Sequence, residues 1–256
     1  MKIIKALIVI LTFAVMAWAQ GNSRPPCQHR GFFYSMGVGF AYTNFESEKT
    51  HGYDWTSAQL DYYRQVTRDD EERSWKFSGV DIPKFELRMG VSIANYVALY
   101  TLWDMGLFTG EAEYSETDYR RVFSEQNGTL VKISDEIRDY RHRKDDGVGL
   151  YFSFGLGISV YPISNLASPL NGLYVSFAGG FDAFAAGFVE DHEDGDAIGI
   201  FNRYEIGKDW WVSDTWSVGV AFAYKNLFVI DDDDGYYEHN KSSRHTISLL
   251  FRLTRG

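Results

Sequence analysis

The sequence predicts an all-β protein: eight antiparallel strands closed into an up-and-down transmembrane β-barrel with long loops at one end. Three observations predict it. Apolar residues alternate with small or polar ones in eight separate runs, the pattern of a strand with two unlike faces. The connections between runs alternate between longer and shorter. The chain is also rich in aromatics (Phe 19, Tyr 17, Trp 7) and glycine (24), yet its mean hydropathy is only −0.27. A barrel that spans a membrane with half-apolar strands reconciles these numbers, because only one face of each strand meets lipid.

The chain starts with a segment outside the fold. Met1-Lys2-Ile3-Ile4-Lys5 is basic, Ala6 to Met16 is apolar, and Ala17-Trp18-Ala19 has the small-x-small spacing of a cleavage site. This reads as a secretory signal peptide over residues 1–19, followed by a short N-terminal segment over 20–30 and the barrel over 31–256. The apolar run is short for a membrane anchor. Cys27 is the single cysteine, which excludes a disulfide framework and a thiolate zinc cluster. A net charge of −10 argues against a nucleic-acid partner.

The runs follow in order. Residues 32–43 place Tyr34, Met36, Val38, Phe40 and Tyr42 on one face. The second run sets Phe85, Leu87, Met89, Val91 and Ile93 against Lys84, Glu86, Arg88, Gly90 and Ser92, and Asn95 marks a tight turn. The third, Tyr96 to about Leu107, alternates less sharply, with Asp104 opposite Trp103. The fourth is the clearest: Val148, Leu150, Phe152, Phe154, Leu156, Ile158 and Val160 face away from five small residues and Tyr151. The fifth places Leu173, Val175, Phe177 and Phe181 opposite Asp182. The sixth places Ile198, Ile200, Tyr204 and Ile206 opposite Arg203 and Glu205. The seventh and eighth run from Trp216 to Lys225 and from Thr246 to Leu253. All five prolines fall outside strand centres, as strand hydrogen bonding requires.

The second face carries isolated charges among Gly, Ala and Ser. Lys84, Arg88, Arg203, Lys225 and Arg252 stand against Glu86, Asp104, Asp182 and Glu205. In a narrow barrel these pair with one another and fill the lumen. On a soluble sheet they would face water. The connections favour the barrel, because the longer ones (Asn44 to Val80, Phe108 to Asp146, Ala185 to Asp196, Asn226 to Ser243) fall at one end. Trp210, Trp211 and Trp216 bracket a short connection, where an aromatic girdle belongs.

These features together resemble the eight-stranded outer-membrane β-barrels of Gram-negative bacteria, the OmpA-transmembrane and OmpX-like group. The stretch Glu205-Ile-Gly-Lys-Asp-Trp-Trp-Val-Ser-Asp-Thr-Trp-Ser-Val-Gly-Val220 is similar to the penultimate hairpin of such barrels. The resemblance implies a bacterial outer-membrane location, long extracellular loops, a periplasmic segment at 20–30 and contact with outer-membrane lipids. It also implies insertion by the outer-membrane assembly machinery. Barrels of this kind end on an aromatic residue, whereas this chain ends Phe251-Arg-Leu-Thr-Arg-Gly256, so Phe251 is expected to serve instead.

Three function classes fit. The sequence favours a non-enzymatic, monomeric barrel with a structural or surface-contact role and an unidentified surface ligand, without cofactor or metal. The second class is a lipid-modifying enzyme, for which Ser243 and His245, two apart on one strand face, are the weak candidates as nucleophile and base. The third is a narrow pore. The six histidines are expected outside the lumen. Asn127-Gly128 predicts a type I′ turn that carries strands above the membrane. The acidic runs Glu190–Asp194 and Asp231–Asp234 lack the register of an EF-hand and read as solvated loop charge, with loose divalent-ion bridging left open.

Overall fold

The computed structural model describes residues 29–60, 63–93, 95–126, 129–163, 165–189, 194–229 and 239–256. The signal-peptide segment, Asn127-Gly128, Asp231–Asp234 and most of Glu190–Asp194 lie outside the described residues.

Eight strands form a closed barrel in sequence order: β1 (Gly31–Leu60), β2 (Tyr63–Ile93), β3 (Val97–Gln126), β4 (Thr129–Val160), β5 (Leu173–Phe188), β6 (Asp194–Trp211), β7 (Trp216–Val229) and β8 (His239–Arg255). Every neighbour is antiparallel, and β1 closes the ring on β8 with Met36 opposite Leu253. One end, the base, carries the C-terminus and the short turns. There Asn95 adopts φ 62°, which Asn tolerates, and Tyr96 N–H donates to Ile93 O at 3.1 Å.

The outside is apolar. Met36, Val38, Phe40, Leu99, Met105, Leu107, Phe85, Leu156, Val175, Ile206, Phe222 and Phe251 are all exposed. On β4 the outward residues Val148 to Val160 cover about 30 Å at ~3.3 Å per residue and a roughly 40° tilt, close to the height of a hydrocarbon band. The inside is the reverse: twelve charged residues are buried within it, and an apolar exterior around a charged interior suits a hydrocarbon solvent. The barrel spans a membrane.

The interior is filled by pairing large rings with glycines. A Cβ on Gly149 would come within 2.1 Å of Phe108, one on Gly157 within 2.3 Å of Tyr100, and one on Gly207 within 2.4 Å of Tyr174. The strand backbone thus cedes side-chain volume wherever an aromatic ring crosses the bore. Two apolar clusters result. The lower holds Phe33, Tyr100, Tyr161, Tyr174, Phe201 and Leu250. The upper holds Phe45, Trp75, Phe77, Phe108, Tyr151, Phe184 and Phe188, with Phe108 and Phe184 stacked at 5.0 Å.

The wall is lopsided, and this corrects the sequence reading. The sequence reads residues 44–60 and 63–80 as loop, and they are strand. Residues 108–126 and 129–146 read as a connection in which Asn127-Gly128 carries strands above the membrane, and strand pairing there runs the whole way up to Gln126 opposite Thr129. β1 to β4 are 30, 31, 30 and 32 residues long, whereas β5 to β8 are 16, 18, 14 and 17. Pairing with β8 stops at Thr50 on β1, and pairing with β5 stops at Gly147 on β4. Among the described residues the four long strands continue above those points paired only with one another, for roughly 33 Å on β1 and β2 and roughly 53 to 59 Å on β3 and β4 at ~3.3 Å per residue. Charged side chains lie on both faces of this blade.

Candidate functional site: the closed lumen and the blade

The lumen charges lie in two linked groups. Nearer the base, Glu86 and Glu205 are shared by three guanidinium groups. Arg252 donates to Glu86 Oε1 at 2.7 Å and to Glu205 Oε1 at 2.5 Å. Arg203 meets Glu86 Oε2 at 2.5 Å, and Arg88 meets Glu205 Oε2 at 2.5 Å. Nearer the top, Lys84 Nζ donates to Asp104 Oδ1 at 2.6 Å. Lys225 Nζ reaches Asp104 Oδ2 and Asp182 Oδ2, both at 3.0 Å. Arg203 Nη1, 3.9 Å from Asp104, joins the two groups.

All nine charges read from the sequence lie within this network, and alternation missed three more. Arg244 donates to Asp182 Oδ2 at 2.5 Å, Asp81 accepts from Thr43 Oγ1 at 3.1 Å, and Asp209 lies at the base beside Tyr161. The buried set is then six cations and six anions, balanced in sign. Charges packed this way strengthen one another in a low dielectric. A cavity of about 20 Å³ between Arg88, Tyr100, Tyr161, Tyr174 and Arg252 has room for a single water.

The base is stoppered by a residue expected outside the lumen. His29 is buried in the barrel mouth, with its ring 4.3 Å from Tyr161 and 4.6 Å from Trp211. Its backbone is fastened too: His29 N–H donates to Asn95 Oδ1 at 2.8 Å, and His29 O accepts from Asn95 N–H at 3.1 Å and from Ser92 Oγ at 2.7 Å. Burial pulls the His29 imidazole down from 6.5 to about 4, so it is neutral in the mouth. Trp211 therefore turns against the stopper. Trp210 and Trp216 face outward, Trp216 edge-on to Tyr34 at 5.8 Å.

Ser243 and His245 lie on the outer surface at the top of β8. His245 Nδ1 is engaged by Tyr224 OH at 2.8 Å, with the two rings stacked at an interplanar angle of 14°. Ser243 is opposite Glu46 on β1 and Phe228 on β7, while His245 is opposite Asn44 and Asn226.

The blade is laced by ion pairs on both faces. On one face Arg121 bridges Asp70 at 2.8 Å and Glu72 at 2.5 Å, and His142 meets Glu113 at 3.2 Å. On the other, Glu71, Glu116 and Asp118 converge with Arg73, and the hydrogen bond shared with Glu71 pushes the Glu116 carboxyl up. Ile133 and Arg138 on β4 are bulged out of register, yet the hairpin stays paired up to Gln126 opposite Thr129. Beside Arg138, Ile137 and Tyr140 are 61% and 60% exposed.

No family model matches the sequence, and no curated protein sequence does. Among solved structures the chain is similar to Ail, the attachment invasion locus protein of Yersinia pestis, crystallised with the heparin analogue sucrose octasulfate (10% identity, TM-score 0.36, covering 86% of this chain and 98% of that one). It is also similar to the outer membrane protein OprG of Pseudomonas aeruginosa (11%, 0.35, covering 89% and 97%) and to Neisserial surface protein A (10%, 0.33, covering 84% and 96%).

Proposed function

We propose that this chain is a non-enzymatic, monomeric protein of the bacterial outer membrane that presents the β1–β4 blade to the exterior as a rigid contact surface for a macromolecule. On this reading it is exported by residues 1–19 and inserted by the outer-membrane assembly machinery. The observation that carries the proposal is the height difference between β1–β4 and β5–β8 above a filled bore. A transport protein needs an open path, whereas six cations and six anions, most of them ion-paired, fill this lumen under an aromatic cap. A contact protein needs reach and stiffness, which a four-stranded sheet cross-linked by Arg121, Arg73 and Lys144 supplies. Exposed apolar side chains such as Ile137 and Tyr140, set among charges, are the composition of a contact surface.

The test is to crop the blade. Lys49 lies opposite Arg73 and Ser115 opposite His142, so residues 50–72 and 116–141 are replaceable by two-residue turns within the existing register. The cropped barrel is expected to keep its boiling-dependent gel shift. Cells carrying it are expected to lose adherence to immobilised glycans and matrix proteins that the full chain confers. Equal adherence by both would overturn the reading, as would discrete conductance steps from the full chain in planar bilayers.

A further inference from the structure

The outer wall carries a polar line that neither the lumen nor the blade explains. Asn202 on β6 is opposite Asn226 on β7. Asn226 is opposite His245 on β8, and His245 is opposite Asn44 on β1. All four point outward, away from the filled bore. The row beneath is Tyr204, Tyr224, Ile247 and Tyr42, paired in the same order. Above Asn202 and Asn226 the surface is apolar again, with Ile200 and Phe228 exposed, whereas Glu46 and Ser243 stand above Asn44 and His245. The line therefore starts at the upper edge of the apolar band at His245 and descends into the band at Asn202. Polar side chains facing hydrocarbon are costly unless something bonds them.

Its geometry is that of a receptor. Tyr224 OH and His245 Nδ1 are hydrogen-bonded at 2.8 Å on an exposed imidazole, and in the tautomer in which the tyrosine donates, Nε2–H remains as a donor. Asn226 Oδ1 is shielded from water and has no protein partner. At Gly179, beside Asn202, an added Cβ would meet only Asn202 Oδ1 at 3.7 Å and Phe201 O at 3.4 Å, so the wall is dented there. Donor and acceptors are spaced one strand apart, about 4.8 Å.

We propose that this line binds the headgroup of a phosphorylated lipid of the outer leaflet. The phosphate is held by His245 Nε2–H at the band edge. Just beneath it the Asn226 and Asn202 carboxamides bond the acyl linkages, Nδ2–H donating to an ester or amide carbonyl and Oδ1 accepting from an amide N–H. The depth order is the argument for a lipid. A phosphate belongs at the band edge and acyl linkages belong a few ångströms deeper, which is the order His245, Asn226, Asn202. The tyrosine row below then flanks the acyl chains. A second copy of the chain would need this depth gradient to meet its own mirror across a convex wall.

The experiment uses the full chain in phosphatidylcholine nanodiscs doped with diphosphorylated lipid A (phosphate with amide linkages) or with phosphatidylglycerol (phosphate with esters). Inorganic phosphate serves as a third arm. Native mass spectrometry counts retained lipid, and the imidazole ¹⁵N shift of His245 reports phosphate contact. Wild type is expected to retain a doped lipid and to shift His245 Nε2. Loss of a charge-assisted hydrogen bond in His245→Phe, or of the carboxamide in Asn226→Leu, lowers retention roughly tenfold. His245→Gln, which keeps a donor, restores part of it and serves where His245→Phe does not fold. Equal retention by wild type and folded variants overturns the proposal. So does a shift with inorganic phosphate that no lipid reproduces, and so does a dimer cross-linked through Asn226 whose loss alone accounts for the variants. None of these outcomes depends on whether the blade binds a macromolecule.

Discussion

Arg88 of β2 and Glu205 of β6 meet across the lumen at 2.5 Å, although 117 residues separate them in the chain. Glu205 accepts from Arg252 and Arg203 as well, so one carboxylate ties together strands from three parts of the wall. Strands that share hydrogen bonds only with their neighbours are thus braced across the bore.

Glu205→Gln leaves Arg88 and Arg252 with a single carboxylate, Glu86, and Arg203 with Glu86 and the more distant Asp104. Breaking one partner of a buried ionic cluster costs about 3–5 kcal/mol. The temperature at which the folded gel band disappears is expected to fall markedly. Glu205→Gln combined with Arg88→Met, which restores the balance of sign, is expected to recover part of the loss.

Gly149→Ala places a methyl within 2.1 Å of Phe108 and 2.5 Å of the Ala185 carbonyl oxygen. The carbonyl belongs to the wall and cannot swing aside, so the ring must leave its stack on Phe184. Overpacking of this kind costs about 1–3 kcal/mol. Urea unfolding in detergent is expected to show a lower midpoint, and Gly149→Ala with Phe108→Leu a recovery. An unchanged midpoint in the single variant would contradict the packing.

The His29 stopper is expected to be acid-sensitive. Burial lowers its pKa in the folded mouth from 6.5 to about 4, so the folded state disfavours the proton. The stabilising contribution of the neutral ring is complete above pH 6.5. It declines as pH falls from 6.5 towards 4, where the unstoppered state takes up the proton first. Protease access to the segment before Gly31, read between pH 7 and pH 4, is expected to rise on acidification. His29→Phe keeps the stacking on Tyr161 and Trp211 and should flatten that profile. Asp209, 3.7 Å from His29 Nε2, is the nearest carboxylate and should be retained in the comparison.

The blade has a second acid transition of its own. The hydrogen bond from His142 holds the Glu113 carboxyl below its ordinary 4.5, and that from Lys132 holds Asp135 below 3.8. Depressed carboxyl pKa values stabilise the paired state above the free values and lose that contribution as pH falls through the folded ones. Amide exchange in β3 and β4 above Gly147 is expected to accelerate below about pH 4 while exchange in the barrel below stays slow. High salt at neutral pH should reproduce part of the effect, because these pairs are exposed and screened.

The strand faces were legible where one of them meets lipid. Val148 to Val160 alternate without a break, and the same alternation placed Lys84, Glu86, Arg88 and Arg203 on the lumen face. The sequence reading failed where the outward face turns polar. Arg244 is flanked by Ser243 and His245, so the eighth run was started at Thr246 and its lumen charge was missed. Asp209 lies two positions before Trp211 and was assigned to a connection, and Asp81 was missed at the register shift between Asp81 and Lys84. The sixth run skipped Asn202, the outward position on which the polar line turns. Most of the blade carries no clear apolar period, because charges occupy both of its faces. Its one local signal is Asn127-Gly128 between alternating segments, and pairing over long sequence distances, such as Asp70 with Tyr119, defines the rest. His29 gave no signal at all, since a residue that stoppers a mouth is recognised by what surrounds it in space.

The unequal heights of the two halves of the wall separate two kinds of change. Below Gly147 and Thr50 every strand has neighbours on both sides, and inserting one residue would turn an entire face from lipid to lumen unless a bulge absorbs it, as the one between Asp81 and Lys84 does. Above that level a hairpin can gain or lose residues two at a time without disturbing the register beneath it. Even single insertions are absorbed there, as Ile133 and Arg138 record. The part of the molecule that meets the outside world is therefore free to drift in length, while the part that meets lipid is held to its measure.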